Sequence, residues 1–259
     1  MKSTKEFDDG RKSNGGARRW CRAACAVVLV AATTGRAETP GTPVGARMPE
    51  ANDPRARIAD VPGLPRVLLI GDSISLGYTL TVRETLKGKA NVHHPPANCG
   101  STRTGLKHLE EWLGDGPWDV IHFNWGLWDI NRRVDGKRNV DGPIAISEEE
   151  YAQNLEQLVE RLKKTGAKLI WANTTFVQGG WGRRAGDEIR YNKIAEEIMR
   201  RHGVRINDLH AFTAALPRFG EAGDGPEMWK SAGNVHFSEA GYRAIGWRVA
   251  EVIEEVLRE

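Results

Sequence analysis

The stretch Val67-Leu68-Leu69-Ile70-Gly71-Asp72-Ser73 is the part of the sequence that decides the fold class. Four consecutive apolar residues followed by a glycine are typical of a strand buried on both faces of a parallel sheet. Further strands are predicted at 90–93, 120–123, 168–172 and 204–206, and helices at 79–87, 104–113, 147–165, 187–201 and 238–256. Strands that alternate with helices favour right-handed crossovers. We therefore predict an α/β fold with three α/β/α layers and a parallel sheet of about five strands.

The first 63 residues differ in composition from the rest of the chain. Residues 1–37 contain a basic cluster, an apolar run of about ten residues and the small-residue pattern Gly35-Arg36-Ala37, which together predict a secretory signal peptide. Because a membrane span needs about 20 apolar residues, we expect a secreted or periplasmic protein without a stable membrane anchor. Residues 38–63 contain five prolines and no hydrophobic periodicity, which predicts a linker. The folded domain is then 64–259.

The positive charge of the chain belongs mainly to its start. Taking away residues 1–37 removes eight of the 37 basic and three of the 34 acidic residues, so 29 and 31 remain and the net charge changes from +3 to −2. We therefore expect no nucleic-acid partner. Of three cysteines only Cys99 would remain, so no internal disulfide is expected. No nucleotide-binding motif or metal-ligand spacing is present, so we predict no cofactor and no metal. The oligomeric state is left open.

Ser73 lies where the chemistry of such a fold is usually placed. Ligand sites in open parallel sheets lie at the carboxyl ends of the strands, and Ser73 follows the first strand directly. A hydroxyl at this position can face the site, and backbone N–H groups nearby can point at an oxyanion. A Gly-Asp-Ser tripeptide is also a common turn, so the surrounding motifs must decide.

Four blocks of the sequence, in order, resemble those of the GDSL, or SGNH, hydrolases. They cover about residues 66–250 and are 69–78, 98–100, 125–129 and 234–238. The resemblance implies the SGNH hydrolase fold, in which the parallel sheet of the three α/β/α layers is flavodoxin-like. It also implies a carboxylic ester hydrolase that acts on a small-molecule or glycan ester. It implies that Ser73 is the nucleophile and His236 the base. The N–H groups of Ser73 and Gly100 would form an oxyanion hole, and Asp72 and Asp129 would support the loops.

Two positions depart from the family pattern. Gly233 stands three residues before His236, where the family has an aspartate, so His236 must be oriented by another group. Carboxylates in nearby sequence are Asp224, Asp208 and Glu227; a backbone carbonyl, a water or a simple Ser–His dyad are alternatives. Trp128 stands where the family has an oxyanion-hole asparagine. The missing donor would be the Trp128 indole, or the amide of Asn124 or Asn131.

Aromatic and basic residues in the predicted site segments suggest the substrate. Aromatic faces suit stacking on sugar rings, although core packing would also explain these residues; the candidates are Tyr78, Trp125, Trp181 and Trp229. Several arginines would bind an acidic sugar or be solvated, namely Arg103, Arg132, Arg133, Arg183 and Arg184. We predict a secreted carbohydrate O-acetylesterase. The alternatives are a non-catalytic carbohydrate-binding protein on a degraded hydrolase scaffold, and an enzyme that transfers acyl groups between sugars.

Overall fold

The computed structural model describes residues 53–114 and 116–259. The predicted signal peptide and residues 38–52 of the predicted linker lie outside these ranges. The remainder of that linker is held by the domain: the Asn91 side chain accepts from the N–H of Val61 at 2.8 Å and donates to its carbonyl at 3.1 Å. The Arg83 guanidinium donates to the carbonyl of Ala56 at 3.0 Å. The boundary at residue 64 stays a prediction.

Five parallel strands form the central sheet. The strands of the described residues are β1 (Arg66–Ile70), β2 (Asn91–His93), β3 (Val120–Phe123), β4 (Arg133–Val134), β5 (Lys137–Arg138), β6 (Lys168–Ala172) and β7 (Arg205–Asn207). The sheet order is β2-β1-β3-β6-β7, and all four pairings are parallel. This is the flavodoxin-like order, so the predicted fold class is confirmed. β4 and β5 form a separate antiparallel hairpin, which was not predicted because two-residue exposed strands carry no hydrophobic pattern.

Helices cover both faces of the sheet. They are α1 (Ser73–Thr85), α2 (Thr102–Leu113), α3 (Glu148–Lys163), α4 (Asp187–His202), α5 (Leu209–Ala214) and α6 (Glu239–Arg258). α1 packs against α6, and α3 packs against both α2 and α4. None of the helices in the described ranges has both the length and the apolar character needed to cross a membrane.

The first helix begins six residues earlier than predicted, at Ser73 instead of Thr79. Asp72 is its N-cap, and one carboxylate oxygen accepts the N–H of Ile74 at 2.8 Å. An N-cap carboxylate satisfies one of the N–H groups that the first turn of a helix leaves without a partner. The Asp-Ser pair is therefore a helix start, and it places Ser73 in the first turn.

The packing of α1 on α6 brings two distant parts of the chain together. A Cβ atom built at Gly77 would lie 2.2 Å from the ring of Tyr242, so α1 and α6 approach closely where no side chain fits. α1 carries Ser73 at its first residue, and α6 begins three residues after His236. This helix pair therefore positions both residues at the carboxyl end of β1.

Candidate active site

Ser73 and His236 are in hydrogen-bond contact, although 163 residues separate them in sequence. The Ser73 Oγ lies 3.0 Å from Nε2 of His236. Both side chains are half-buried, so the pair is shielded but reachable. A hydroxyl bonded to an imidazole nitrogen is the arrangement that activates a serine as a nucleophile.

Asn234 orients the imidazole ring. Its Oδ1 lies 3.1 Å from Nδ1 of His236 and accepts the backbone N–H of the same residue at 3.0 Å. A backbone N–H can only donate, so this bond establishes which end of the amide is the oxygen. Nδ1 must then carry the proton that Oδ1 accepts, and Nε2 is left as the acceptor for the Ser73 hydroxyl.

The other end of the Asn234 amide is also held. Its Nδ2 donates to the Ser231 hydroxyl at 3.1 Å, and Asn234 is only 4% exposed. The orienting group is thus a buried neutral amide, which the sequence interpretation missed. An asparagine two residues before the histidine is the signal that could have found it, because Asn side chains commonly accept the backbone N–H two residues ahead.

The three carboxylates proposed from sequence do not contact His236. Asp208 caps α5 by accepting the N–H of Ala211 at 2.9 Å and also accepts from Asn173. Glu227 accepts the N–H of Gly220. Asp224 is exposed and has no hydrogen bond or ion pair within the described residues. None of these three carboxylates orients His236, so their prediction as a third member of the catalytic group is wrong. Asp208 and Glu227 instead accept hydrogen bonds from the backbone of their own loops.

Gly233, at the family's aspartate position, serves backbone packing instead. Its φ is +65°, which disfavours a side chain, and a Cβ there would lie 3.2 Å from the carbonyl oxygen of Gly179. On the facing loop, a Cβ at Gly180 would lie 2.6 Å from the carbonyl oxygen of Gly233. The 179–182 segment and the histidine loop therefore meet backbone to backbone beside His236.

The surroundings of His236 keep its imidazole neutral. Burial is the main cause that lowers the pKa of His236 below its ordinary value of 6.5, and the positive charges of Lys230, Arg183 and Arg138 lower it further. A neutral ring can accept a proton at neutral pH. The Asn234 amide adds no negative charge to oppose this effect.

The expected oxyanion donors differ in their availability. The Gly100 N–H donates to Oδ1 of Asn98 at 3.0 Å, and Asn124 donates its amide to the carbonyl of Ala172 at 2.7 Å. Within the described residues, the N–H of Ser73 and the half-buried indole of Trp128 have no hydrogen-bond acceptor. Of the expected donors in the described residues, Ser73 and Trp128 are therefore the two that could bind an oxyanion without losing an existing hydrogen bond.

Asp72 and Asp129 each accept a backbone N–H at the start of a helix, Asp72 from Ile74 in α1 and Asp129 from Thr102 in α2. Oδ1 of Asp129 accepts both the N–H and the hydroxyl of Thr102 at 3.0 and 2.6 Å, which ties the loop after β3 to the start of α2. Burial raises the pKa of Asp129 to about 7 and that of Asp72 to about 6. Neither carboxylate has a hydrogen bond to Ser73 or His236 among the residues that the structure describes.

Three of the four predicted sugar-stacking residues belong to the core. Tyr78, Trp125 and Trp229 are at most 2% exposed, so they have no free face for a ligand and that interpretation is wrong. Trp229, for example, packs on Phe237 with ring centroids 4.3 Å apart. Large aromatic rings near the strand ends are buried because they contribute much apolar surface to the core.

Trp181 is the one of the four predicted sugar-stacking residues that reaches the site. It is 39% exposed and its ring centroid lies 5.2 Å from that of His236 in an edge-on arrangement. Its φ is +50°, which is uncommon for a tryptophan. Its carbonyl oxygen accepts from the guanidinium of Arg183 at 2.8 Å, and the same group donates to the Leu127 carbonyl at 2.8 Å. Arg183, which is 4% exposed, thus joins the Trp181 loop to the loop after β3.

The other arginines proposed to bind an acidic sugar have protein partners. Arg103 pairs with Glu150, Arg132 with Asp187, and Arg184 with Asp141. Arg133 donates to the carbonyl of Gly136. Arg138, which was not among the predicted residues, also lies near the site: its guanidinium carbon is 4.4 Å from the centroid of the Trp181 ring.

The chain is similar to a known protein family and to several solved structures. A family model described as the GDSL-like lipase/acylhydrolase family matches residues 69–244. No curated protein sequence matches the chain. Among solved structures, an acetyl xylan esterase, AlAXEase, is 15% identical over 73% of this chain and 99% of that chain, with a TM-score of 0.59.

Two further solved structures share the fold. The lipase/acylhydrolase from Enterococcus faecalis is 22% identical over 74% of this chain and 96% of that chain, with a TM-score of 0.58. The acetylxylan esterase Axe2 from Geobacillus stearothermophilus is 20% identical over 72% and 93%, with a TM-score of 0.56. The family match spans more than half of the sequence and confirms the predicted resemblance: the chain belongs to the GDSL-like lipase/acylhydrolase family and is a carboxylic ester hydrolase.

Proposed function

We propose that the chain is an exported carbohydrate O-acetylesterase that works through an acyl-enzyme on Ser73. The observation that carries the proposal is the continuous relay from Ser73 Oγ to Nε2 of His236 and from Nδ1 to Oδ1 of Asn234. The sugar ester is supported by the exposed Trp181 beside His236 and by the acetylxylan esterases among the similar solved structures. Export is supported by the sequence pattern of residues 1–37.

The first half-reaction transfers the acetyl group to the enzyme. Nε2 of His236 takes the proton of the Ser73 hydroxyl while Oγ bonds to the ester carbonyl carbon. The resulting oxyanion accepts hydrogen bonds from the Ser73 N–H and the Trp128 indole. The protonated His236 then gives its proton to the sugar oxygen as the carbon–oxygen bond breaks.

The second half-reaction returns the enzyme to its starting state. A water molecule gives a proton to Nε2 of His236 and attacks the acetyl carbonyl. The bond to Oγ breaks, Ser73 regains its proton from His236, and acetate is released. Throughout, Oδ1 of Asn234 acts as a positioning group that holds the Nδ1–H tautomer and leaves Nε2 available.

Removal of the nucleophile tests this function. We expect Ser73→Ala to reduce kcat/KM for 4-nitrophenyl acetate and for acetylated xylo-oligosaccharide by at least ~10³-fold, because loss of a triad nucleophile removes most of the covalent rate enhancement. Ser147→Ala, which removes a hydroxyl from the start of α3 away from the site, is the matched control. Undiminished turnover in Ser73→Ala would refute the mechanism. Glycan binding without any turnover by the unmodified protein would favour the non-catalytic alternative.

A further inference from the structure

The entrance to the site carries a group of cations that the proposed reaction does not use. We call Arg138, Arg183 and Lys230 the cationic rim. Arg138 lies over Trp181 at 4.4 Å, and Trp181 lies 5.2 Å from His236. The guanidinium carbon of Arg138 is therefore at most 9.6 Å from the imidazole centroid. Lys230 lies opposite His236, and its backbone N–H donates to the carbonyl of His236 at 3.1 Å.

The rim residues lack the carboxylate partners that neighbouring arginines have. In the described parts of the chain, no Asp or Glu oxygen lies within 4.0 Å of the charged nitrogens of Arg138, Arg183 or Lys230. Asp72 is the carboxylate that acts on Arg183 through its charge, from the buried side. Arg138 and Lys230 are exposed, and their positive charges both act on His236.

Arg138 is held in place by the fold. Its hairpin is fastened to the Trp181 loop because the N–H of Arg132 donates to the carbonyl of Gly182 at 2.6 Å. A Cβ at Gly182 would lie 3.1 Å from the Cβ of Arg138, so the two backbones are in close contact there. The backbone and the Cβ of Arg138 are therefore held against the Trp181 loop.

The positive charge that His236 acquires during the reaction suggests a role for the cationic rim in binding a negatively charged substrate. When His236 takes the serine proton it becomes a cation among three cations, and its partner Asn234 is neutral. A negative charge brought by the substrate would bind the rim and also stabilise the charged imidazole. An arginine fork binds a carboxylate through two parallel hydrogen bonds, and the distance from Arg138 to His236 is one that a single sugar ring can bridge.

We propose that the natural substrate is an acetylated acidic sugar whose carboxylate is held by Arg138 and Lys230 while its acetyl ester meets Ser73. This inference rests on the proposed esterase function and narrows its substrate class. It assigns the carboxylate to the alcohol part of the ester. The acyl part stays small and neutral.

Paired substrates test the proposal with the intact protein. Acetate release is measured with acetylated galacturonic acid and with acetylated galactose, which differ in one carboxylate. We expect kcat/KM to be at least ~10-fold higher for the acid, and we expect this ratio to fall as ionic strength increases because exposed charges are screened. Arg138→Gln and Lys230→Gln should each lower the ratio by about 3- to 10-fold.

Lys137→Gln is the matched control. It removes the same charge from the same hairpin, but successive strand residues point to opposite faces, so the acid-to-neutral ratio should not change. Equal ratios in Arg138→Gln, Lys137→Gln and the parent protein would overturn the proposal, as would a preference for 4-nitrophenyl hemisuccinate over 4-nitrophenyl acetate, which has the same leaving group and a neutral acyl part. Failure of both sugar esters and of 4-nitrophenyl acetate would instead refute the esterase function itself.

Discussion

Two serine–histidine pairs are in hydrogen-bond contact within the described residues, and their difference shows what makes one of them a candidate catalyst. Ser75 Oγ lies 2.6 Å from Nε2 of His94, and Nδ1 of His94 lies 2.8 Å from the carbonyl of Pro95. This relay has the same order of atoms as the one from Ser73 to His236. Yet Ser75 and His94 are only 2% and 5% exposed, so no ester can reach them.

The buried pair has a structural task instead. The Ser75 hydroxyl is also within 3.1 Å of the carbonyl of Asp72, the residue that caps α1. Burial lowers the pKa of His94 to about 4, so its ring is neutral and satisfied by Ser75 and Pro95. A short distance between a serine and a histidine is therefore insufficient evidence for catalysis, and access separates the two pairs.

Replacement of each histidine by glutamine, in separate variants, should give the largest difference in activity between the two pairs. We expect His236→Gln to lower kcat/KM for 4-nitrophenyl acetate by at least ~10³-fold, because the serine loses its base. His94→Gln should leave kcat/KM within about threefold and lower the free energy of unfolding by about 1–3 kcal/mol, because a buried hydrogen-bond network is disturbed. Kinetics and chemical denaturation of both variants provide the measurement. A large kinetic loss in His94→Gln at unchanged stability would contradict the structural task.

The next largest effect should come from removing the group that accepts the hydrogen bond from Nδ1 of the imidazole. His94 is held by a backbone carbonyl, which mutation cannot remove, but His236 is held by the Asn234 side chain. We expect Asn234→Ala to lower kcat by about 10- to 100-fold, since the ring loses the bond that selects its tautomer. Asn234→Asp keeps an acceptor oxygen and adds a negative charge, so it should retain more activity than Asn234→Ala and raise the pKa of His236.

The pH profile of kcat/KM tests whether Asn234 acts by positioning the imidazole of His236. A residue that only stabilised the loop would change the rate without moving the profile. An acidic limb that shifts upward in Asn234→Asp shows that residue 234 acts on the imidazole. An unmoved limb in this variant would contradict the assignment.

The smallest expected effect is a downward shift of the acidic limb in the pH profile of the unmodified enzyme, relative to an ordinary histidine. His236 must be neutral to act as a base, and burial together with the nearby cations lowers its pKa below 6.5. The acidic limb of kcat/KM should therefore have its midpoint below 6.5, with activity rising as pH increases through it. Asp129 has its pKa raised to about 7 by burial, so the limb is also measured in Asp129→Asn. A midpoint above 6.5 in both proteins would contradict the neutral environment of His236.

Much of the fold and the central pair could be predicted from the sequence. The continuous apolar runs at 67–70 and 120–123 are typical of buried parallel strands, and both are strands in the structure. Ser73 and His236 were identified from local motifs, and the structure places them 3.0 Å apart. Local patterns succeed here because strand burial and short motifs are encoded over a few adjacent residues.

The errors arise where the answer depends on packing between distant loops. Tyr78, Trp125 and Trp229 are predicted to bind the substrate because they lie in the segments that follow the strands. An aromatic residue in such a segment faces either the core or the cleft, and the sequence does not distinguish the two. Arg138 was overlooked because the two-residue strand that carries it has no pattern. Asn234 was not predicted because the family motif places the orienting group at position 233 and makes it a carboxylate.

We propose that access to solvent, together with the imidazole tautomer held by Asn234, makes Ser73 and not Ser75 the nucleophile. Treatment of the protein with an organophosphonate ester probe, followed by proteolysis and mass spectrometry, locates the reactive serine directly. We expect a single adduct on Ser73, its formation slowed in Asn234→Ala and abolished in His236→Gln. An adduct on Ser75, or no adduct in a protein that hydrolyses 4-nitrophenyl acetate, would contradict the claim.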